Sequence, residues 1–317
     1  MTRRAVVLGG TGFVGRAFAW RCAAHGLSIS LTVPTRAPAH AGELRTLPGL
    51  SVVQADVHDE ATLARLFAGA DTVVNLVGIL HGDAAAFERA HAELPRRVAR
   101  VARDTGVSHI VHVSALAADV SAPSQYLRSQ AAGEAALRDS GLALSVLRPS
   151  VVFGAEDNFL NLFARLQLLL PVVALAGARS RLQPVWVRDV AQALWTCVER
   201  GAAAAGIYEA AGPQVFTLAD LVRLAGRRSG HARPIWPLPP SLASAQAWLL
   251  EHLPGPTLMS RDNLRSLQVD NVATGRLPGL EALGIRPASI EQAWADERGG
   301  ASQLSEMLRW RASHRDV

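Results

Sequence analysis

Near the N-terminus the chain reads Arg4-Ala5-Val6-Val7-Leu8-Gly9-Gly10-Thr11-Gly12-Phe13-Val14-Gly15-Arg16, an apolar run that breaks into glycines at 9, 12 and 15 before a helix-like stretch. This predicts a buried strand ending at Gly9 and a helix beginning near Gly12, with its amide N–H groups and positive dipole end facing outward. A pyrophosphate fits such an end, and glycines let it approach where side chains would block it. The strand and helix patterns on either side make the triplet a stronger signal than glycine spacing alone. The plainer alternative is a glycine-rich turn that holds no ligand.

A chain of 317 residues, 49% hydrophobic and 19% charged, can bury a large core and does not read as disordered. Its 32 basic residues are all arginine, giving a net charge of +5. They are scattered rather than clustered, which argues against nucleic-acid binding; an acidic small ligand or an anionic membrane surface remains compatible. Cys22 and Cys197 are far apart in helix-like patterns, which fits a reducing compartment. The ten histidines suggest no metal site. His109 and His112 are an odd number apart on a strand and so face opposite ways. His81 reads as a solvated loop residue, with a place in the substrate pocket as the alternative. The apolar run Phe159–Ala176 is interrupted by Arg165, Gln167 and Pro171 and falls short of a membrane span. A cytoplasmic protein is expected, with peripheral association at the inner face of a membrane compatible.

Strand-like runs at Ala5–Leu8, Ser30–Val33, Val52–Gln54, Thr72–Leu76, Ile110–Val113 and Leu144–Leu147 alternate with helical patterns at Val14–His25, Ala61–Phe67, Ala84–Asp104 and Ser124–Asp139. The alternation predicts an α/β fold: a Rossmann-type doubly wound parallel sheet, its cofactor bound beyond the carboxyl ends of the strands. After Pro149 the regularity fades. Prolines 234, 237, 239, 240, 254 and 256 surround a short helix-like run, Leu242–His252, with Trp236 and Trp248 nearby. The expected division is a dinucleotide-binding domain at 1–152 and a smaller C-terminal substrate lobe at 153–317, some of whose segments return to the core.

A site preferring NAD(H) usually places an acid on the ribose about 20 residues beyond the glycines. No Asp or Glu precedes Glu43, and the second strand runs into Val33-Pro34-Thr35-Arg36. Arg36 and Arg16 are placed to clasp a 2′-phosphate, so NADP(H) is preferred and NAD(H) is the alternative. The plainer alternative is that both arginines simply face solvent. Asp56 and Val57, after the third strand, suit the adenine amino group and ring, unless Asp56 caps the next helix. Asn75, Leu76, Val77 and Gly78 end the fourth strand and should floor the ribose and phosphates.

Ser114 closes the fifth strand after Val113, and Tyr126-Leu127-Arg128-Ser129-Gln130 opens a helix. These positions resemble the Ser…Tyr-x-x-x-Lys arrangement of the short-chain dehydrogenase/reductase superfamily. There the lysine shares a helix face with the tyrosine and lowers its pKa, while the serine polarises a carbonyl. This chain has Gln130 instead, a ribose ligand without charge. Arg128 faces another side of the helix. Cofactor binding should survive and turnover should be impaired.

More narrowly, the chain resembles extended or atypical members of that superfamily, among them the nucleotide-binding accessory subunit of respiratory complex I and its bacterial relatives. The stretches that carry this are 75–82 (NLVGILHG), 148–154 (RPSVVFG), 156–163 (EDNFLNLF) and 183–191 (QPVWVRDVA). The resemblance implies tightly held NADP(H) and a structural or quinone-linked role, with a hydrophobic or quinone-like small molecule and a respiratory complex as partners. It also implies that Pro149, Ser150 and Val151 approach the nicotinamide while Phe153, Asn158 and Trp186 border the substrate cleft. Three functions compete: an NAD(P)H-dependent oxidoreductase, an NADP(H)-loaded assembly or sensor subunit, and a nucleotide-sugar epimerase or dehydratase.

Overall fold

The computed structural model describes residues 2–26, 28–252 and 259–298. Pro254 and Pro256 lie outside them. The chain begins with β1 (Arg3–Leu8), α1 (Phe13–Ala24), β2 (Ile29–Thr35), β3 (Leu50–Gln54), α2 (Glu60–Phe67) and β4 (Thr72–Asn75). It continues with α3 (Ala84–Glu88), α4 (Leu94–Asp104), β5 (His109–Val113), α5 (Gln125–Arg138) and β6 (Ala143–Pro149). All six expected strands form, and each expected helix has its counterpart. The predicted helix 84–104 is one helical run with a π-turn, Arg89–Glu93, inside it.

The strands order as β3-β2-β1-β4-β5-β6, all parallel. The chain reverses direction across the sheet between β1 and β4, the place where such sheets bind ligands. β1 shows why the sheet is buried on both sides. Ala5 and Val7 join the core that includes Phe18 of α1, whereas Val6 and Leu8 join the core that includes Phe67 of α2 and Leu94 of α4. A run apolar at every position suits a strand covered on both faces. Each fully buried Phe contributes about 2–3 kcal/mol by leaving water.

Past β6 come β7 (Val152–Phe153), α6 (Leu160–Leu169), β8 (Val173–Leu175), β9 (Arg181–Leu182), β10 (Val185–Trp186), α7 (Val187–Arg200) and β11 (Gly206–Ala210). β11 pairs parallel with β6 and becomes the seventh strand, while α7 lies against α1. The sequence after 153 therefore completes the central sheet as well as adding segments beside it. Those segments include β12 (Phe216–Thr217), α8 (Leu218–Ser229), β13 (Ile235–Pro237), α9 (Pro240–His252), α10 (Arg261–Ser266) and α11 (Ile290–Arg298). The alanine run after Gly201 forms a short 3₁₀ turn, Gly201–Ala204.

Candidate functional site

The glycine loop joins β1 to α1 as the spacing predicts, but its glycines serve different ends. Gly9 sits at φ +75°, and a Cβ there would come within 2.9 Å of the Leu76 backbone. A Cβ on Gly15 would lie 2.5 Å from Gly10. Both glycines let the chain pack on itself. At Gly12 a Cβ would meet only the Gly9 carbonyl oxygen, at 3.2 Å, so the space beside it is open to a ligand. Gly12 is also the N-cap of α1 and no side chain caps it, in contrast to Asp59, Asp83, Ser124 and Thr217 on other helices. First-turn amides have no partner within their own helix, so the N–H groups of Phe13, Val14 and Gly15 suit an anion. The residues present fit a dinucleotide pyrophosphate.

Around this cradle, Leu76 and Val77 lie against Gly9, and the buried Asn75 fixes their turn by accepting from the Val77 N–H at 3.2 Å. Thr11 gives its carbonyl oxygen to Arg16 Nη1 at 2.9 Å. Arg16 also pairs with Glu156, 2.5 Å away and 140 positions on. Arg36 is exposed and makes no hydrogen bond or ion pair among the described residues. Asp56 accepts from the His58 N–H at 2.9 Å, while Asp59 caps α2. Val57 packs against the α2-side core.

The Ser114, Tyr126 and Gln130 side chains come from β5 and α5. Ser114 is buried, and its hydroxyl has no hydrogen-bond partner. Three residues later Ala117 takes φ +61°, the one non-glycine in the left-handed region among the described residues. That conformation costs roughly 1–2 kcal/mol and marks the Ser114 loop as held in place by its surroundings. Burial pushes the Tyr126 phenol up to about 12, opposed by a hydrogen bond with Gln130. Tyr126 and Gln130 therefore meet across one helical turn, with no cation at the lysine position. Arg128 turns away to the Ala122 carbonyl and Gln125.

His91, on the π-turn, escapes a sequence reading that treats Ala84–Asp104 as a plain helix. Its Nε2 accepts from the Ile79 N–H at 3.0 Å, so in the neutral ring Nδ1 carries the proton and donates to Ser129 Oγ at 2.9 Å. Ser129 in turn donates to the Tyr126 carbonyl at 2.7 Å. One hydrogen-bonded chain thus ties the loop after β4 to the helix bearing Tyr126, and the His91 ring stands edge-on to the Tyr126 ring at 5.6 Å. Close packing needs Gly133, where a Cβ would lie 2.1 Å from the His91 carbonyl oxygen. His112 bonds Asn75 through Nδ1 at 3.2 Å and leaves Nε2 without a partner. His109 bonds Ser145 on the other face of the sheet. Burial holds His91, His109 and His112 down at about 4. Half-buried His81 is lowered by burial as well, with Asn263 beside it.

Two further residues come from far along the chain. Asp262 of α10 accepts from the Gln125 and Tyr126 N–H groups at 2.7 and 2.9 Å, capping α5 from outside. Asn271 accepts from the Ser150 hydroxyl and the Val151 N–H. Ser150 Oγ also accepts from the Gln183 N–H at 3.2 Å, while Pro149 gives its carbonyl to the Leu116 N–H at 3.0 Å. Val113, half-buried, closes β5. A Cβ on Gly78 would lie 3.5 Å from His91 Nε2. Phe153 is fully buried, Asn158 is exposed, and Trp186 lines two clefts of about 610 and 420 Å³ beside α1. Neither cleft includes Ser114, Tyr126 or Gln130; the smaller reaches Phe13 and Arg16. Among the described residues no cluster of His, Cys, Asp and Glu could hold a metal.

This sheet and glycine turn define a Rossmann-type fold, and residues 9–158 match the NAD(P)H-binding family profile. Mouse mitochondrial NADH dehydrogenase [ubiquinone] 1 alpha subcomplex subunit 9 is 29% identical over 297 residues, covering 90% of this chain and 77% of that protein. A ceramide reductase from Caulobacter vibrioides is 32% identical over 190 residues, 59% of this chain and 58% of the other. In fold, the chain is similar to an Escherichia coli NADPH-dependent quinone oxidoreductase solved with NADPH: TM-score 0.70, 23% identity, 93% of this chain and 99% of that one. The expected resemblance to the complex I accessory subunit and its superfamily is borne out.

Proposed function

We propose that this protein holds NADP(H) in preference to NAD(H) and is an oxidoreductase-like protein of respiratory or quinone metabolism with weakened tyrosine chemistry. The observation that carries the reading is an open glycine turn beside a tyrosine that faces no cation: the space at Gly12 and the uncapped start of α1 suit a pyrophosphate, while Tyr126 faces Gln130. Bound NADPH would supply hydride. Its phosphates would rest on the α1 amides, Asn75–Gly78 would floor its ribose, and Arg36 would meet a 2′-phosphate through charge-assisted bonds. Arg16 would join only by leaving Glu156, a step that costs little because exposed ion pairs are worth about 0–1 kcal/mol. Ser114, with its free hydroxyl, would donate to a substrate carbonyl, and Tyr126 would hold the proton. The substrate class is a hydrophobic carbonyl or a quinone-like molecule, covered by the segments 153–186 and 259–298. The names of the mouse protein, an NADH dehydrogenase [ubiquinone] subunit, and of the Escherichia coli quinone oxidoreductase support the quinone and respiratory setting; a place at the inner face of a membrane is part of the same proposal.

A second reading is an NADP(H)-loaded assembly or sensor subunit without turnover. It is favoured by the Tyr126 phenol at about 12, which makes it a weak acid and leaves almost no phenolate at neutral pH to act as a base. Calorimetric titration tests the shared part: NADPH should bind tighter than NADH, and Arg36→Ala should remove most of that difference. Tighter NADH binding would overturn the cofactor assignment. NADPH oxidation against a panel of quinones then separates the two readings, since no turnover by an NADPH-saturated protein leaves the subunit role.

A further inference from the structure

Twelve large apolar side chains are exposed among the described residues, and eight lie on one succession of elements: Leu168, Leu169, Leu170, Val172, Trp236, Leu242, Trp248 and Leu249. The first four run off the end of α6 into β8. β8 pairs with β13 so that Ala174 lies beside Trp236, both exposed, and Val172 points to the same side as Ala174. α9 follows and is tied back by Gln246 Nε2, which donates to the Ala174 carbonyl at 3.0 Å. This helix is inverted relative to an ordinary surface helix. Its buried positions are the small Ala243 and Ala247, and its large apolar groups, Leu242, Trp248 and Leu249, face outward.

Residues 158–188 and 221–250 contain eight arginines and no acid. Arg181, Arg188, Arg223 and Arg228 pair with acids outside these ranges, which leaves Arg165, Arg179, Arg227 and Arg233, all exposed, with no ion pair among the described residues. Arg165 stands one turn before Leu168 and Leu169 on α6. Arg233 is fastened to the same helix end, its Nε donating to the Gln167 carbonyl at 3.1 Å. Glu251, the acid at the end of α9, is already paired with Arg261 at 2.8 Å. Leucines and tryptophans flanked by unpaired arginines match the chemistry of a bilayer interface, where indoles sit at headgroup depth and cations meet anionic lipid. No helix of the described residues is long and apolar enough to cross a membrane.

We propose that this α6–β8–β13–α9 face is a docking surface for an anionic lipid bilayer. It deepens the membrane-side setting read above and needs no dinucleotide, so its success or failure is separable from NADPH binding. The test is co-sedimentation of the full chain with vesicles of phosphatidylcholine alone or mixed with phosphatidylglycerol, at low and raised salt. The mixed vesicles should bind at least about tenfold more tightly, and salt should weaken that binding. Leu169→Gln with Trp248→Gln, both exposed positions, should lose about tenfold or more while the NADPH titration stays unchanged. The proposal is overturned if the wild type does not sediment with mixed vesicles or if the double variant binds as well as the wild type. It is also overturned if lipid-free wild type forms a dimer that the double variant dissolves, because a second copy then covers this face.

Discussion

Replacing Gln130 with lysine tests the account of Tyr126 directly. Position 130 is buried, one turn beyond Tyr126 and one turn before Glu134. Glu134 is held by Arg148 Nε at 2.8 Å and Nη2 at 2.5 Å, and it would offer the introduced ammonium a nearby countercharge. A cation within a few ångströms lowers a phenol by about 1–3 pKa units, or roughly 1.4–4 kcal/mol in favour of tyrosinate. Starting from about 12, Tyr126 would fall toward 9–11, and the ionised fraction near neutral pH would rise about 10- to 1000-fold. The chain has two tyrosines, so phenolate absorbance reports Tyr126 cleanly once Tyr208→Phe removes the other. That background change loses one hydrogen bond, from Tyr208 to the Ala204 carbonyl, at a cost of about 1 kcal/mol. In the Gln130→Lys protein the phenol should titrate at lower pH, and any quinone-dependent NADPH oxidation should increase. If a folded, NADPH-bound variant titrates as the parent does, a cation at position 130 does not act on the buried phenol and the reasoning fails.

The glycine loop gives a contrast between binding and folding. Gly12→Ala should cost less than about 1 kcal/mol of stability yet weaken NADPH strongly, whereas Gly15→Ala, clashing with Gly10, should cost about 1–3 kcal/mol; thermal melts and calorimetry separate the two. Asp262→Ala should destabilise by about 1–2 kcal/mol by leaving the Gln125 and Tyr126 N–H groups without their acceptor, although Ser124 still caps α5, and Asp262→Asn should recover much of this because it keeps an acceptor; urea unfolding reads both. His91, His109 and His112 stay neutral in the fold down to about 4 and take up protons on unfolding from about 6.5. Their contribution is therefore fully present above pH about 6.5 and declines as pH falls toward 4, by about 1.4 kcal/mol per pH unit for each. Denaturation midpoints between pH 7 and 5 check this, and a flat profile would show that the three rings are not shielded as described.

The sheet was legible because its signals are local. Apolar runs at Ala5–Leu8, Thr72–Asn75 and Ile110–Val113 announce strands buried on both faces, and the glycines after Leu8 announce a turn into a helix. The seventh strand was harder to read. Gly206–Ala210 carries Glu209, whose buried carboxylate breaks the apolar run because it accepts from Thr274 and Gly275 far along the chain. His91 hid for a related reason: a histidine inside an alanine-rich helix looks the same whether it faces water or the Ile79 amide.

The sequence alone determined the glycine turn, the parallel sheet around it and the absence of lysine beside Tyr126, since each follows from residues a few positions apart. Tertiary structure decided which glycine keeps open space beside it, by bringing Leu76 onto Gly9 and Gly10 onto Gly15 while leaving Gly12 clear. It gave Arg16 to Glu156, Ser150 to Asn271 and the start of the Tyr126 helix to Asp262, pairs separated by more than a hundred positions. Hydrogen bonds and ion pairs depend on distance in space. Spacing along the chain predicts that distance only within a helix turn, a strand or a tight loop.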